Sequence, residues 1–137
     1  LSVSVANVLR GLHFHRKHAD FWIPEEDKIL GGLPDLRRGS PTEGVSMVVS
    51  LSARRQEGLY IPAGVAHGYY ASTEIFLLFL VDRLYTGKDE QGVAWDDETL
   101  AVDWKLEKEP ILSKRDRNNP RLQKIPLDNI PVYKQGN

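Results

Sequence analysis

Apolar residues recur at every second position in several short segments, and the spacing typical of helices is nearly absent. Alternation of this kind predicts strands with one buried face, and a continuous apolar run predicts a strand that is buried on both faces. The predicted strands are residues 1–6, 45–51, 59–61 and the continuous run 75–81. Turn-forming residues separate them at 31–32, 38–41, 63–64 and 87–89. Short strands with regular turns indicate an all-β sandwich or barrel.

The end of the chain has a different character. From Asn118 onward, prolines interrupt a polar segment that carries isolated apolar residues. We therefore expect one domain over residues 1–117 and a C-terminal tail over residues 118–137, which forms a short helix or an extended arm packed on the barrel.

Composition excludes several classes of function. Eighteen Lys+Arg against nineteen Asp+Glu give a net charge of −1, which argues against nucleic acid or an anionic membrane as the main partner. The absence of cysteine excludes disulfides, thiolate zinc sites and a cysteine nucleophile. Because the strand pattern starts at Leu1, with neither a methionine nor a signal peptide before it, we expect a piece of a longer chain.

Histidines are the main candidates for chemistry. His13, His15 and His18 lie in one segment, and His67 follows a Pro-x-Gly turn. If residues 12–14 form a strand, His13 and His15 point to the same face, where an imidazole from the turn can meet them. A single histidine is more often a surface or hydrogen-bonded residue, but this combination favours a site that uses a general base or a metal ion.

Six segments occur in an order that resembles a known family. They are residues 10–14 (Arg-Gly-Leu-His-Phe), 36–42 (Leu-Arg-Arg-Gly-Ser-Pro-Thr), 59–68 (Leu-Tyr-Ile-Pro-Ala-Gly-Val-Ala-His-Gly), 92–97 (Gly-Val-Ala-Trp-Asp-Asp), 100–104 (Leu-Ala-Val-Asp-Trp) and 111–116 (Ile-Leu-Ser-Lys-Arg-Asp). Together they resemble the dTDP-4-dehydrorhamnose 3,5-epimerase family over residues 4–121. This resemblance implies an all-β cupin jelly roll with a C-terminal extension, here without its N-terminal strands.

The resemblance also implies an activity, the epimerisation of a nucleotide-activated 4-keto-6-deoxysugar. Removing a proton next to a ketone requires a base with a pKa near neutral, a proton donor on the opposite face and a partner for the enolate oxygen. By resemblance His13 is the base and Asp116 the carboxylate that orients it. The substrate-binding residues that the resemblance implies are Arg10, His67, Tyr85 and Arg117. It further implies a cytoplasmic homodimer that uses no cofactor and no metal.

Two positions depart from the family pattern. The family lysine that contacts the keto oxygen is replaced by Asp20. Lys17 and Lys28 are the candidates that could take over the role of that lysine. The family general-acid tyrosine is replaced by Phe79, which cannot donate a proton. These departures predict reduced activity or inversion at a single centre, with any proton donor displaced to another tyrosine. The candidate donors are Tyr69, Tyr70 and Tyr85.

The same departures leave two alternatives open. One is a cupin that binds the sugar nucleotide without turning it over. The other is a metal-dependent cupin with His13, His15, Asp20 and His67 as ligands, because neutral imidazoles and a carboxylate suit a divalent transition metal.

Overall fold

Two antiparallel sheets face each other in a computed structural model that describes residues 1–84 and 88–135. The strands are β1 (Ser2–Ser4), β2 (Val8–Phe14), β3 (Asp20–Glu26), β4 (Lys28–Pro34), β5 (Ser46–Ser52), β6 (Leu59–Ile61), β7 (His67–Ala71), β8 (Ile75–Val81) and β9 (Gln91–Gly92). The first sheet has the order β1-β8-β3-β6 and the second the order β5-β4-β7-β2-β9. This arrangement confirms the all-β prediction.

Helical structure in the described residues is limited to short pieces. They are the helix α1 (Lys114–Arg117) and the 3₁₀ turns Ala53–Arg55, Leu122–Lys124 and Leu127–Asn129. No helix in this part of the chain has the length and apolar character needed to cross a membrane.

The space between the sheets is filled by apolar side chains from both of them. They are Trp22, Ile29, Leu33, Leu51, Ile61, Val65, Tyr69, Ala71, Ile75 and Leu77, with Val49 and Leu59 packed against them. A second apolar cluster covers the opposite face of the second sheet, where strands β2 and β7 meet the segments after residue 92. It consists of Leu9, Leu12, Phe14, Leu36, Ala66, Tyr70, Val93, Leu100, Trp104 and Ile130. The C-terminal third of the chain is therefore part of the core.

Gly31 and Gly32 were expected in a turn, but they lie inside β4. The indole of Trp104 lies directly on Gly32, where a Cβ atom would be 2.6 Å from Cη2 of that ring. The glycine therefore marks a close approach between a strand and a tryptophan, which is a recognised use of glycine within strands.

The apolar run 75–81 was expected to be buried on both faces, and this is only half correct. Ile75 and Leu77 are buried, whereas Phe79 is 44% and Leu80 51% exposed. β1 pairs only with residues 75–77, so among the described strands the remainder of β8 pairs with β3 alone. The exposed half of β8 borders the mouth of a pocket.

The described part of the tail is an arm that is packed on the domain. Ile130 is buried in the second cluster, and the backbone of Arg38 bonds to Pro131 and Tyr133. The guanidinium of Arg37 lies 5.0 Å from the centre of the Tyr133 ring, within cation–π range. The arm is therefore anchored at residues 37–38.

Asp35 organises this anchor. Its carboxylate accepts hydrogen bonds from the backbone and guanidinium of Arg37 and from the hydroxyls of Ser40 and Thr42. Burial alone would raise the pKa of Asp35, but these donors together hold it well below its usual range.

We predict that Asp35→Asn lowers the free energy of unfolding at neutral pH by about 2 kcal/mol, because several charge-assisted hydrogen bonds are lost. Since the folded-state pKa lies below the unfolded one, the ionised carboxylate stabilises the protein above the unfolded pKa, about 3.9. This contribution is lost as the pH falls further, so the difference between variant and parent should shrink. Urea titrations at pH 7 and pH 3 measure it, with the exposed Glu98→Gln as control. An equal difference at both pH values would contradict the assignment.

Candidate active site

A pocket of about 240 Å³ lies at one end of the sandwich interior and opens beside β8. All four histidines of the chain line it, together with Arg10, Asp20 and Glu90. Its apolar wall comes from Trp22, Leu77, Phe79 and Val81. Leu77, Phe79 and Val81 share one face of β8, and the pocket identifies it as the inward face.

A bulge in β2 places the first histidine. The register between β2 and β7 shifts between Arg10 and His13, and Gly11 between them has φ of 126°. A Cβ atom on Gly11 would lie 2.7 Å from the Cα of Gly68, so the two strands approach at a distance that only glycine allows. Bulges of this kind re-aim side chains next to active sites. Here the bulge also frees the Gly11 N–H, which donates to Asp116 Oδ2 at 3.1 Å.

Asp116 comes from the short helix α1 and forms a close pair with His13. Its Oδ1 lies 2.6 Å from His13 Nε2, and its own backbone N–H donates to Ser113 Oγ at 3.0 Å. The carboxylate is buried, whereas the imidazole is 22% exposed toward the pocket. Burial raises the pKa of Asp116, but the hydrogen bond and charge of His13, with the Gly11 N–H, hold it below its ordinary value. Asp116 is therefore an ionised orienting group for a pocket-facing imidazole.

The remaining histidines surround Asp20 deeper in the pocket. His67 Nε2 lies 3.2 Å from Asp20 Oδ2, and His18 Nε2 lies 3.4 Å from Asp20 Oδ1. The rings of His15 and His18 are stacked with centroids 3.9 Å apart. Burial raises the pKa of Asp20, but the close contact with His67 and the other nearby imidazoles lower it below its usual value. Burial, with the repulsion from His15, lowers the pKa of His18.

Glu90 connects the two groups of histidines. Its Oε1 lies 3.3 Å from His15 Nε2 and 3.8 Å from His13 Nδ1, and its other oxygen accepts from Arg115. The hydrogen bond from His15 lowers the pKa of Glu90 by more than burial raises it. Together with the hydrogen bond from Arg115, it holds this pKa far below its usual range. Sequence reasoning missed both Glu90 and the position of His18, because no local motif marks either.

The other predicted site residues lie in different places. Arg10 lines the pocket and donates to Ser4 Oγ at 2.8 Å. Tyr85 lies outside the described residues. Arg117 is exposed at the end of α1 and does not line the pocket.

The two departures have clear structural counterparts. No lysine lines the pocket in the part of the chain that is described, so neither Lys17 nor Lys28 takes the place given to the family lysine. Tyr69 lines the pocket, but its hydroxyl is hydrogen-bonded with Ser4 at 2.9 Å, and the hydroxyl of Tyr70 donates to Asn7. The metal alternative included His13, but His13 faces Asp116, and His18 is the third residue grouped with His15 and Asp20.

We predict that His13→Asn raises the pKa of Asp116, because burial then acts without the His13 ring that opposes it. Titration of the carboxyl carbons by NMR reports the change directly. His18→Gln serves as a control, since His18 makes no contact with Asp116. An unchanged Asp116 titration in His13→Asn would mean that the two side chains do not interact in solution.

Comparisons with known proteins agree with this geometry. The profile of the dTDP-4-dehydrorhamnose 3,5-epimerase family matches residues 1–124. The enzyme of that name from Methanothermobacter thermautotrophicus is 36% identical over 137 residues, which is 96% of this chain and 71% of the relative.

Two solved structures are also similar. A dTDP-6-deoxy-D-glucose-3,5-epimerase from Legionella pneumophila, in complex with dTDP-4-keto-L-rhamnose, has a TM-score of 0.91 and 30% identity, covering 97% of this chain and 72% of its own. A 3′-monoepimerase from Streptomyces bikiniensis, in complex with dTDP-quinovose, has a TM-score of 0.87 and 29% identity. The alignment covers 96% of this chain and 69% of the monoepimerase chain. With a sequence match over most of the chain, a matching fold and a pocket-facing histidine paired with a buried aspartate, this chain belongs to the dTDP-4-dehydrorhamnose 3,5-epimerase family.

Proposed function

We propose that the protein epimerises a dTDP-activated 4-keto-6-deoxysugar by removing a proton from a carbon next to the ketone, with His13 as the base. One observation carries this assignment, the pairing of pocket-facing His13 with buried Asp116 at 2.6 Å. A nucleotide-sugar substrate is supported by the relatives, whose solved complexes hold dTDP sugars.

The pair fits the requirements of a general base. With Nε2 hydrogen-bonded to an ionised carboxylate, the proton of neutral His13 is fixed on that nitrogen, and the lone pair is on Nδ1. When Nδ1 accepts the proton from carbon, the imidazolium that forms is stabilised by the negative charge of Asp116. Asp116 thus sets the tautomer before the reaction and stabilises the charge during it.

Arg10 is suited to the diphosphate of the substrate. Its side chain reaches the pocket from β2, and a guanidinium matches the geometry of phosphate oxygens. Tyr85 and Arg117 remain predicted substrate contacts by resemblance alone.

Phe79 bears on how many centres are inverted. Inversion requires a proton from the face opposite the base, and the Phe79 ring that lines the pocket cannot supply one. The Tyr69 hydroxyl is already hydrogen-bonded with Ser4. We therefore infer slow return of the proton on that face, with inversion at a single centre or reduced inversion at both. A 3′-monoepimerase among the similar structures fits this inference.

We further infer that the active form is a cytoplasmic homodimer. Val3, Phe21, Tyr60 and Leu80 are 37–61% exposed and lie on the outer face of the first sheet. Phe21 stands directly opposite both Leu80 and Tyr60 across neighbouring strands, so these three side chains form a continuous apolar row. A second copy of the chain is the occupant that this apolar face favours.

His13→Asn should reduce deuterium exchange from D₂O into the sugar by about 10²–10⁴-fold, because the positioned base is lost. Binding of dTDP, measured by calorimetry, should change little. Exchange at the parental rate would show that His13 is not the base. A parent protein that shows no exchange would also contradict the proposal. It would favour a protein that binds the nucleotide sugar without turning it over.

Phe79→Tyr should raise inversion relative to exchange, since it adds a proton donor to the pocket wall that β8 forms. NMR of the product formed in D₂O reports deuterium content and configuration together. Phe79→Leu is the matched control, which changes the ring without adding a proton donor. Rapid inversion at both centres by the parent would mean that another residue supplies the acid.

Leu80→Lys should shift the protein from dimer to monomer, because a charge would be placed at one end of the apolar row, next to Phe21. Sedimentation equilibrium over a range of concentrations measures this shift. Glu98→Lys, at an exposed site away from the sheet, is the control. A parent that stays monomeric at all concentrations would refute the dimer.

A further inference from the structure

Proton abstraction by His13 leaves a buried polar group in the pocket without a role. This group, the inner cluster, consists of His15, His18, Asp20 and His67, each of which is only 5–7% exposed. Burying three imidazoles around one carboxylate is costly unless the groups satisfy one another or hold a ligand.

Hydrogen bonding within the inner cluster is incomplete. His67 Nδ1 lies 3.0 Å from the carbonyl oxygen of Val65, which can only accept, so this nitrogen carries the proton of the neutral ring. The other nitrogen, Nε2, then points its lone pair at Asp20 Oδ2, 3.2 Å away. Two acceptors therefore face each other, and a positive species is required between them or beside them.

The second oxygen of Asp20 has the same deficit. Oδ1 is buried and accepts no hydrogen bond, although His18 Nε2 lies 3.4 Å from it. An unpartnered carboxylate oxygen that is nine-tenths buried and points at an imidazole nitrogen is unusual in a folded protein. It indicates that a cation belongs at this position.

Spacing in the inner cluster suits a transition-metal ion. One ligand atom from each of His15, His18 and Asp20 lies within 4.8 Å of the other two. Ligands bonded to one ion at about 2.1 Å are about 3.4 Å apart in a tetrahedral site. The separation of 3.4 Å between His18 and Asp20 has this value and is longer than an ordinary hydrogen bond. Side-chain rotations would be needed to bring His15 and His67 to the same spacing.

We propose that the inner cluster binds one divalent first-row transition-metal ion, with His15, His18 and Asp20 as ligands and His67 as the fourth. Neutral imidazoles with one carboxylate suit Zn²⁺ and its neighbours rather than Mg²⁺ or Ca²⁺, which prefer oxygen ligands. Glu90, which accepts from His15, orients that ligand as carboxylates commonly do around metal sites.

The use of the ion rests on the proposed function. Glu90 contacts both His15 and His13, so the inner cluster adjoins the base. An ion beside the base would supply positive charge to stabilise the negative oxygen that develops when His13 takes the proton. The proton moves from carbon to His13 and the electron pair to oxygen, so no oxidant or reductant is needed.

The first experiment measures metal directly in the whole protein. Protein stripped with chelator is titrated with Zn²⁺ and with Co²⁺, and bound metal per chain is determined by elemental analysis and by the visible absorption of Co²⁺. We expect one ion per chain. Asp20→Asn and His18→Leu should each weaken Zn²⁺ binding at least about 100-fold, since a ligand is lost. Thermal unfolding of the metal-free proteins shows whether each variant folds. Because two ligands are changed separately, the test still works if one variant does not fold.

The matched control separates this proposal from the proposed function. His13→Asn should bind Zn²⁺ as the parent does but lose exchange, since His13 is bonded to Asp116. Metal binding by a parent that does not exchange sugar protons would leave the metal site intact and overturn the function. Exchange by a parent that binds neither ion would overturn the metal site, and the positive species would then be a proton on His67.

Discussion

The contact between Asp116 and strand β2 is the interaction on which the site depends. One carboxylate accepts from the backbone of Gly11 and pairs with the ring of His13, more than 100 residues earlier in the chain. Because a buried carboxylate without partners is very costly, the helix that carries Asp116 and the bulge that frees Gly11 stabilise each other. Placement of the base thus requires the C-terminal part of the chain to be packed on the second sheet.

The sandwich provides the pocket by remaining open at one end. β1 pairs with only three residues of β8, so the far half of β8 is left as the rim of the cavity. The floor is formed by polar side chains of β3 and β7 and of the segment that follows β2, where the apolar interior stops. Within this small volume the His13–Asp116 pair and the inner cluster are distinct, and Glu90 contacts both.

Sequence reasoning predicted the parts of this arrangement that local patterns encode. Alternation predicted β1 and β5. It predicted a shared face for His13 and His15 only if residues 12–14 form a strand; β2 includes those residues but ends at Phe14, before His15. Asp116 was found only through the resemblance, because a charged run such as 114–117 is otherwise read as a solvated surface. The structure adds the reason for its burial, which is the 2.6 Å contact with His13.

Other features depend on tertiary contacts that no local pattern reports. Gly31 and Gly32 were read as a turn, but a tryptophan from a distant segment determines why glycine is needed within β4. The strand β3 was not predicted from the sequence, and it contains Pro24, a residue that is uncommon within strands. Pro24 is tolerated there because it lies beyond the residues that pair with β6 and next to a bulge. His18 and Glu90 join the site through loop geometry alone.

The central claim is that Asp116 makes His13 an effective base. It is tested most directly by measuring deuterium wash-in to dTDP-4-keto-6-deoxyglucose by Asp116→Asn and by the parent at saturating substrate. The account predicts a fall of about 10²-fold or more in the exchange rate, with dTDP binding unchanged, because the amide stabilises neither the required tautomer nor the imidazolium. Exchange by Asp116→Asn at the parental rate would contradict it.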